Sequence, residues 1–373
     1  MPNNLSITDR GLTAFARAWQ KQRFAHAYLL WGESGSGKKQ LAMAVAAAIL
    51  CEREEFAICG ECPSCRAAGQ LQHSNVHLLI PHKHVKKGTK VVSDFNDLDK
   101  KRRSFVNNPF APLPRSSSDS INIEEIRSLR KEARLAPGSR DIRFFILFDI
   151  EKLGSEAAHA LLKLLEEPPA DVRFLLTTSH PEQLLPTIRS RCQAMHVPPF
   201  GEAELLRLLH HYHSDGDEQL RRRAVRMAMG SYNSAAVLLD SDLHTEQQLS
   251  IDFLSQAYAL RPLDLAKTLP KLTRGLDREG QLRILQLLRL WFRDCIQLPA
   301  GINIEDTVFA NFAERLQRFS DIFPQLPGAE ILAIIDEAEQ RLQTAGHAGL
   351  VWHKLAIALH QKLKQTILAR DTA

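Results

Sequence analysis

Three short stretches of this chain carry residues whose types and spacing could do chemistry. The first is Gly32-Glu33-Ser34-Gly35-Ser36-Gly37-Lys38-Lys39. Gly32, Gly35 and Gly37 would let backbone N–H groups turn toward an anion, and a helix starting behind them would add the positive end of its dipole. Lys38 would reach the β and γ phosphates of a nucleotide. The next position should be Ser or Thr, whose hydroxyl holds Mg²⁺, and here it is Lys39. The pattern points to a phosphate-binding loop by descent and argues against Mg-ATP hydrolysis. The plain alternative is an empty loop kept for its fold.

The second stretch is Cys51, Cys59, Cys62 and Cys65, two overlapping Cys-x-x-Cys pairs with one earlier thiol. Four thiolates suit tetrahedral Zn²⁺ and leave no coordination position open, which makes the site structural. Gly60 and Pro63 favour the tight turns of such a knuckle. Reduced free thiols are the alternative. His73 and His77 lie close by in sequence, but four cysteines complete the shell, so these read as core or surface histidines.

The third stretch is Ile188-Arg189-Ser190-Arg191-Cys192. Arginine is a permanently charged planar fork that suits a phosphoryl group. Its alternative here is a structural ion-pair partner, with Cys192 a small buried residue.

The elements around these residues can be read from hydrophobic period. Leu12, Phe15, Ala16 and Trp19 have helical spacing, and His26–Trp31 is a short apolar run leading into the glycine-rich loop. A strongly apolar helix follows over Gln40–Cys51. Strand, loop and helix are the context that a phosphate loop requires. Asn122 with Glu125 three residues on forms a capping box for a helix running to about Arg134, before Pro137-Gly138. Arg143–Asp149 and Arg173–Thr178 are further apolar strands, separated by a helix from Ala157 to Glu167 that stops at Pro168-Pro169. Alternating strands and helices predict α/β architecture with a parallel sheet covered on both faces. Residues 81–120 differ in character. They hold Lys100-Lys101-Arg102-Arg103, several prolines and a serine run, and read as an exposed, partly mobile insertion whose basic residues either touch nucleic-acid phosphates or are simply solvated, the solvated loop being the plainer reading. After the linker His196–Phe200, helices are predicted over Glu202–Leu209 and Leu220–Met229. Beyond Thr245 only helical patterns occur: Gln248–Leu260, Pro262–Leu272, Gln281–Leu298, Ile304–Phe319 and Ala329–Leu368. Leu282, Leu285, Leu288 and Phe292 mark a buried stripe.

The chain has 373 residues, enough for two or three domains, and 44% of them are apolar. It contains no apolar run of bilayer length, and Met1–Arg10 lacks the layout of a signal peptide, so a cytoplasmic protein with no membrane partner is expected. A net charge of +5 is ordinary surface surplus and weak evidence for nucleic-acid binding.

Ala160-Leu161-Leu162-Lys163-Leu164-Leu165-Glu166-Glu167-Pro168-Pro169, with the Ser190-Arg191-Cys192 ending, the cysteine spacing and His26–Leu30, resembles bacterial DNA polymerase III clamp-loader subunits. These are AAA+ proteins with a zinc knuckle inserted after the phosphate loop. The resemblance covers residues 12–80 and 121–240, and beyond them extends only to helical character. It implies an AAA+ P-loop domain over 1–198 with the knuckle at 51–65 and an insertion at about 81–120. It further implies a small helical lid domain over 199–242 and an all-helical C-terminal collar domain over 245–373. Counted back from Lys163, the position of the family's metal-organising Asp holds Phe148, and that of its Glu holds Asp149. The lid's sensor arginine position, in Gly230-Ser231-x-x-Arg, holds Ser234. With Lys39, three parts of an ATPase site depart from the pattern while Ser190, Arg191 and Cys192 are intact. That combination resembles the delta-prime branch, which does not hydrolyse ATP and presents an arginine to its neighbour. The implied cofactor is structural Zn²⁺, and binding of ATP or ADP through Gly32, Gly35, Gly37 and Lys38 stays open. The implied partners are the gamma/tau and delta subunits and, through the complex, the sliding clamp and primer–template DNA. The alternatives are an ATP-hydrolysing gamma/tau-like subunit or other AAA+ ATPase, and a zinc-dependent DNA-binding scaffold.

Overall fold

The computed structural model describes residues 9–53, 56–87, 90–114, 116, 118–133, 142–214, 217–240, 243–260, 262–344 and 347–371. It contains two compact units, residues 1–236 and 237–373.

The first unit is built on a parallel five-stranded sheet. Its strands are β1 (Ala27–Trp31), β2 (Val76–Leu79), β5 (Arg143–Leu147), β6 (Val172–Thr178) and β7 (Gln193–His196), in the order β2-β5-β6-β1-β7. An antiparallel hairpin, β3 (His84–Lys87) with β4 (Lys90–Ser93), stands apart from it. Parallel strands need covering on both faces, and the unbroken apolar run of β5 reflects that need. Alternate side chains divide between two cores. Leu29, Phe145, Leu147, Phe174 and Leu176 pack with α5 (Ile123–Glu132) and α6 (Ser155–Glu166). Tyr28, Leu30, Phe144, Ile146 and Leu175 pack with α1 (Asp9–Gln20) and α2 (Lys38–Leu50). The capping box at Asn122 is formed: its side chain accepts from the Glu125 N–H at 3.0 Å, and Glu125 accepts from the Asn122 N–H at 2.8 Å. The expected end of α5 near Arg134 lies outside the described residues.

The reading of residues 81–120 as a solvated insertion is corrected in part: Lys100, Arg102 and Arg103 are exposed as read, but the segment is folded and Lys101 is buried. Besides β3 and β4 the segment forms α4 (Phe95–Asn107), which follows the short knuckle helix α3 (Pro63–Gly69) in the chain. Lys101, inside the basic run, is 1% exposed. Its ammonium lies 2.7 Å from Asp119, 3.0 Å from Asp97 and 2.9 Å from the Pro81 carbonyl. Three acceptors satisfy a charge that could not otherwise be buried. One turn on, Phe105 enters the sheet core.

After β6 come α7 (Pro186–Arg191), β7, α8 (Glu202–Tyr212), α9 (Glu218–Met227) and α10 (Tyr232–Asp240). The second unit is helical: α11 (Leu243–Ala259), α12 (Pro262–Thr273), α13 (Arg278–Gln297), α14 (Ala313–Ile322), α15 (Gly328–Thr344) and α16 (Ala348–Asp371). Leu285, Leu288 and Phe292 are buried as their spacing predicts, while Leu282 is only partly so. The helix expected over Ile304–Phe319 is instead two short turns, Ile304–Asp306 and Ala310–Phe312, followed by α14. Side chains compete with the helix there: Asn303 accepts from the Glu305 N–H at 3.2 Å and Asp294 from the Val308 N–H at 2.8 Å.

Replacing Lys101 by Met leaves Asp97 and Asp119 buried without their cation. The expected cost is about 3–5 kcal/mol of stability, read from denaturant unfolding. A solvated lysine would show almost none.

Candidate functional site

β1 runs directly into the glycine-rich loop and α2 begins at Lys38. Gly35 and Gly37 adopt φ of 82° and 85°, left-handed conformations that side chains resist. Close packing holds them as well. A Cβ on Gly35 would lie 2.4 Å from Ser231 Oγ, and one on Gly37 2.6 Å from Phe200 Cζ. The start of α10 is fastened onto this loop. Ser231 Oγ donates to the Ser34 carbonyl at 2.9 Å, the Tyr232 N–H to the Gly35 carbonyl at 3.1 Å, and the Asn233 amide to Ser34 Oγ at 3.1 Å. Ser234, at the expected arginine position, bonds back to Ser231. The Lys38 ammonium is buried and donates to the Glu33 carbonyl of its own loop at 3.1 Å.

Lys39 is the centre of the arrangement. Its ammonium lies 2.6 Å from Asp149 Oδ2 and 5.5 Å from the centre of the Phe148 ring. Asp149 has a φ of 47°, unusual outside glycine, and its N–H donates to Thr177 Oγ1 at 3.1 Å. Phe148 is fully buried, with its ring 5.3 Å from that of Phe105. Mg²⁺ needs oxygen ligands in a nearly octahedral set. Here the hydroxyl position holds an ammonium, one acidic position holds a phenyl ring, and the remaining carboxylate is neutralised by Lys39. These residues do not fit Mg²⁺. The space beside Lys38, Lys39 and Asp149 is about 30 Å³. That is room for a water or two. On the other side of the loop an apolar pocket of about 120 Å³ is lined by Leu41, Met195, Val197, Pro198 and Phe200.

The four cysteines come together as their spacing predicts. Cys51 ends α2, and Cys62 caps α3 by accepting from the Cys65 N–H at 3.3 Å. Cys59 Sγ accepts from the Cys62 N–H, also at 3.3 Å. All four sulfurs lie within 4.8 Å of one another, with Cys59 and Cys65 3.9 Å apart. A tetrahedron with metal–sulfur bonds of about 2.3 Å has edges of about 3.8 Å, so the set fits a metal ion closed on all sides. Burial pushes the Cys65 thiol up to about 12, a shift that a bound cation opposes by favouring the thiolate. His73 is a buried structural histidine, 2.8 Å from Ser64 Oγ.

Arg191 and Ser190 end α7. Arg191 Nη2 lies 2.8 Å from Glu166 at the end of α6, and Nη1 donates to the Thr187 carbonyl at 3.1 Å. The Arg191 side chain keeps 34% of its surface exposed. Ser190 Oγ also donates to the Thr187 carbonyl. Cys192 is buried in the sheet core, and burial pushes its thiol up to about 12, which keeps it unreactive at neutral pH. Arg191 does not line either cavity at the chain's own loop. Sequence reasoning missed Phe200, the Ser231–Asn233 contacts and the Glu166 partner, because none is adjacent in sequence to what it touches.

A parallel α/β domain with a strand–glycine loop–helix unit defines the class: an α/β protein built around a glycine-rich loop of the phosphate-binding type. The profile of the family described as "DNA polymerase III, delta subunit" matches residues 7–201. The chain belongs to this family of clamp-loader proteins. It is 28% identical over 283 residues to DNA polymerase III subunit tau of Salmonella typhimurium, covering 74% of this chain and 38% of that protein. It is 29% identical over 252 residues to DNA polymerase III subunit delta' of Pseudomonas aeruginosa, covering 65% of this chain and 66% of that one. To the delta' subunit of Escherichia coli it is 29% identical over 226 residues, 60% and 58% of the two chains. The chain thus spans only part of the length of the relatives it matches.

Metal analysis of the purified chain is expected to find about one zinc ion per molecule, released by a strong chelator with loss of stability. Cys59→Ser should weaken metal retention. Full retention of stability after complete metal removal would contradict a structural site.

Proposed function

We propose that this chain is a delta-prime-type subunit of a clamp loader, which does not hydrolyse ATP itself and supplies Arg191 to nucleotide bound by a neighbouring subunit. The observation that carries the reading is the Lys39–Asp149 ion pair beside Phe148, which takes up the positions a hydrolytic Mg²⁺ site needs. Arg191 meanwhile remains accessible on the surface. Its bond to Glu166 joins two side chains that are 34% and 45% exposed, and pairs of that kind contribute at most about 1 kcal/mol. Arg191 can therefore leave Glu166 for a phosphoryl group at little cost. An arginine delivered in trans stabilises the charge of the transferring phosphoryl group and contributes a factor of about 10³–10⁵ in rate.

On this reading residues 1–198 are the AAA+ domain, 199–242 the lid and 245–373 a collar through which the subunits assemble. Leu350, Ile357 and Leu368 support the collar role: they share one face of α16 and are 70%, 48% and 57% exposed. The partners are gamma/tau and delta subunits, with the sliding clamp and primer–template DNA reached through the complex. DNA contact is through phosphates. The knuckle metal is zinc. Among the described residues no helix is long and apolar enough to cross a membrane. On the proposed reading the chain acts in the cytoplasm, where replication takes place. The similarity to tau subunits and the retained Lys38 favour one rival, an ATP-hydrolysing subunit. The loss of both the hydroxyl and the Asp position weighs against it.

In a complex reconstituted so that only the neighbour facing Arg191 can turn over ATP, Arg191→Ala is expected to leave assembly intact and to reduce DNA-stimulated ATP turnover by about tenfold or more. Turnover equal to that of the unaltered complex would overturn the role.

A further inference from the structure

Residues 108–113 lie in the stretch whose composition reads as a solvated insertion, yet Phe110 is 3% exposed and Leu113 8%. The segment is fixed in shape and anchored at both ends. Asn108 Oδ1 accepts from the N–H groups of Phe110 and Ala111 at 3.0 and 3.2 Å, which turns the chain. Before it, α4 is held by the buried Lys101 and by Phe105 against Phe148. After it, Leu113 enters the sheet core.

Between these anchors the segment faces the glycine-rich loop. Pro109 to Leu113 form one wall of the 30 Å³ space whose other walls include Lys38, Lys39 and Asp149. From there it reaches the helices that follow the sheet. The Phe110 ring lies 5.9 Å from Phe200, 5.8 Å from Tyr212 and 5.7 Å from Tyr232. Asn108 Nδ2 donates to the Tyr232 hydroxyl at 3.0 Å. An apolar wall at a phosphate loop has no value for an anion. It has value as a substitute for one, because it fills the space and joins the loop's surroundings to α8 and α10 without a ligand.

We propose that residues 108–113 are a built-in plug on the phosphate side of the loop, closing it to ATP and ADP and fixing α8 and α10 against the loop through Phe110 and Asn108. The proposal rests on the reading of Gly32–Lys39 as a former nucleotide loop. It gives the insertion a role in the domain, since the closed arrangement that a nucleotide would otherwise have to maintain is made permanent by the chain's own residues.

The test uses the full chain and a fluorescent ribose-labelled ATP, titrated with and without Mg²⁺. A plug closed more than nine-tenths of the time weakens binding by about tenfold or more. Asn108→Ala with Phe110→Ala is therefore expected to bind the labelled ATP at least about tenfold more tightly than the unaltered chain. Adding Lys38→Ala should abolish the gain. Hydrogen exchange of the backbone at 231–236 should rise in the unplugged variant. Should the double variant fail to fold, Asn108→Ala alone removes only the turn and the Tyr232 bond and reads the same two quantities. Unchanged affinity in a folded variant would overturn the plug, and so would tight ATP binding by the unaltered chain. Neither result bears on whether Arg191 stimulates a neighbour's turnover, so the two readings fail separately.

Discussion

The ion pair between Lys39 and Asp149 is the constraint on which the rest of the first unit depends. An ammonium 2.6 Å from a carboxylate neutralises it with the chain's own residues. Both side chains are largely buried, so removing either one would leave the other's charge poorly solvated. The strained backbone at Asp149 is held by Thr177 from the neighbouring strand. Beside the pair, Phe148 is ordinary core: it packs on Phe105, and Lys39 lies over its ring.

On the proposed reading, in which the loop does not depend on a ligand, other features fall into place. The start of α10 hydrogen-bonds directly to the loop, and glycines that could have cradled phosphates instead admit Ser231 and Phe200. The cysteine knuckle fixes the far end of α2, so the helix behind the loop is held at both ends. A rigid domain of this kind suits the proposed part, in which the chain presents Arg191 from a defined position and the energy of ATP is used elsewhere. Arg191 is suited to that part because its present partner, Glu166, is itself exposed and easily given up.

Much of this was legible in the residues. The unbroken apolar run Phe144-Phe145-Ile146-Leu147 reports a sheet buried on both faces, and its alternate side chains divide between two cores. The Asn122–Glu125 box and the cysteine spacing are local rules, and local rules survive folding. Apart from the helix expected over Ile304–Phe319, which a local Asn303 cap breaks, the failures are long-range. Lys101 stands among basic neighbours and reads as surface, and only the approach of Asp119 from eighteen positions on, with Asp97 one turn back, makes burial tolerable. Phe110 stands between prolines and reads as loop, and its aromatic partners lie ninety or more residues later. β2 and β7 are too short to announce themselves and exist because β5 and β1 present open edges to them. Lys39 was visible as a departure from the phosphate-loop pattern. That it gains Asp149 as a partner required the fold.

The central claim is that nucleotide chemistry has left this chain's own loop and acts through its neighbour. The most direct measurement is DNA-stimulated ATP turnover by a reconstituted complex carrying Lys38→Ala in this subunit alone, every other loop unaltered. The account predicts turnover equal to that of the unaltered complex. A fall in proportion to the loss of one working ATPase site would contradict it.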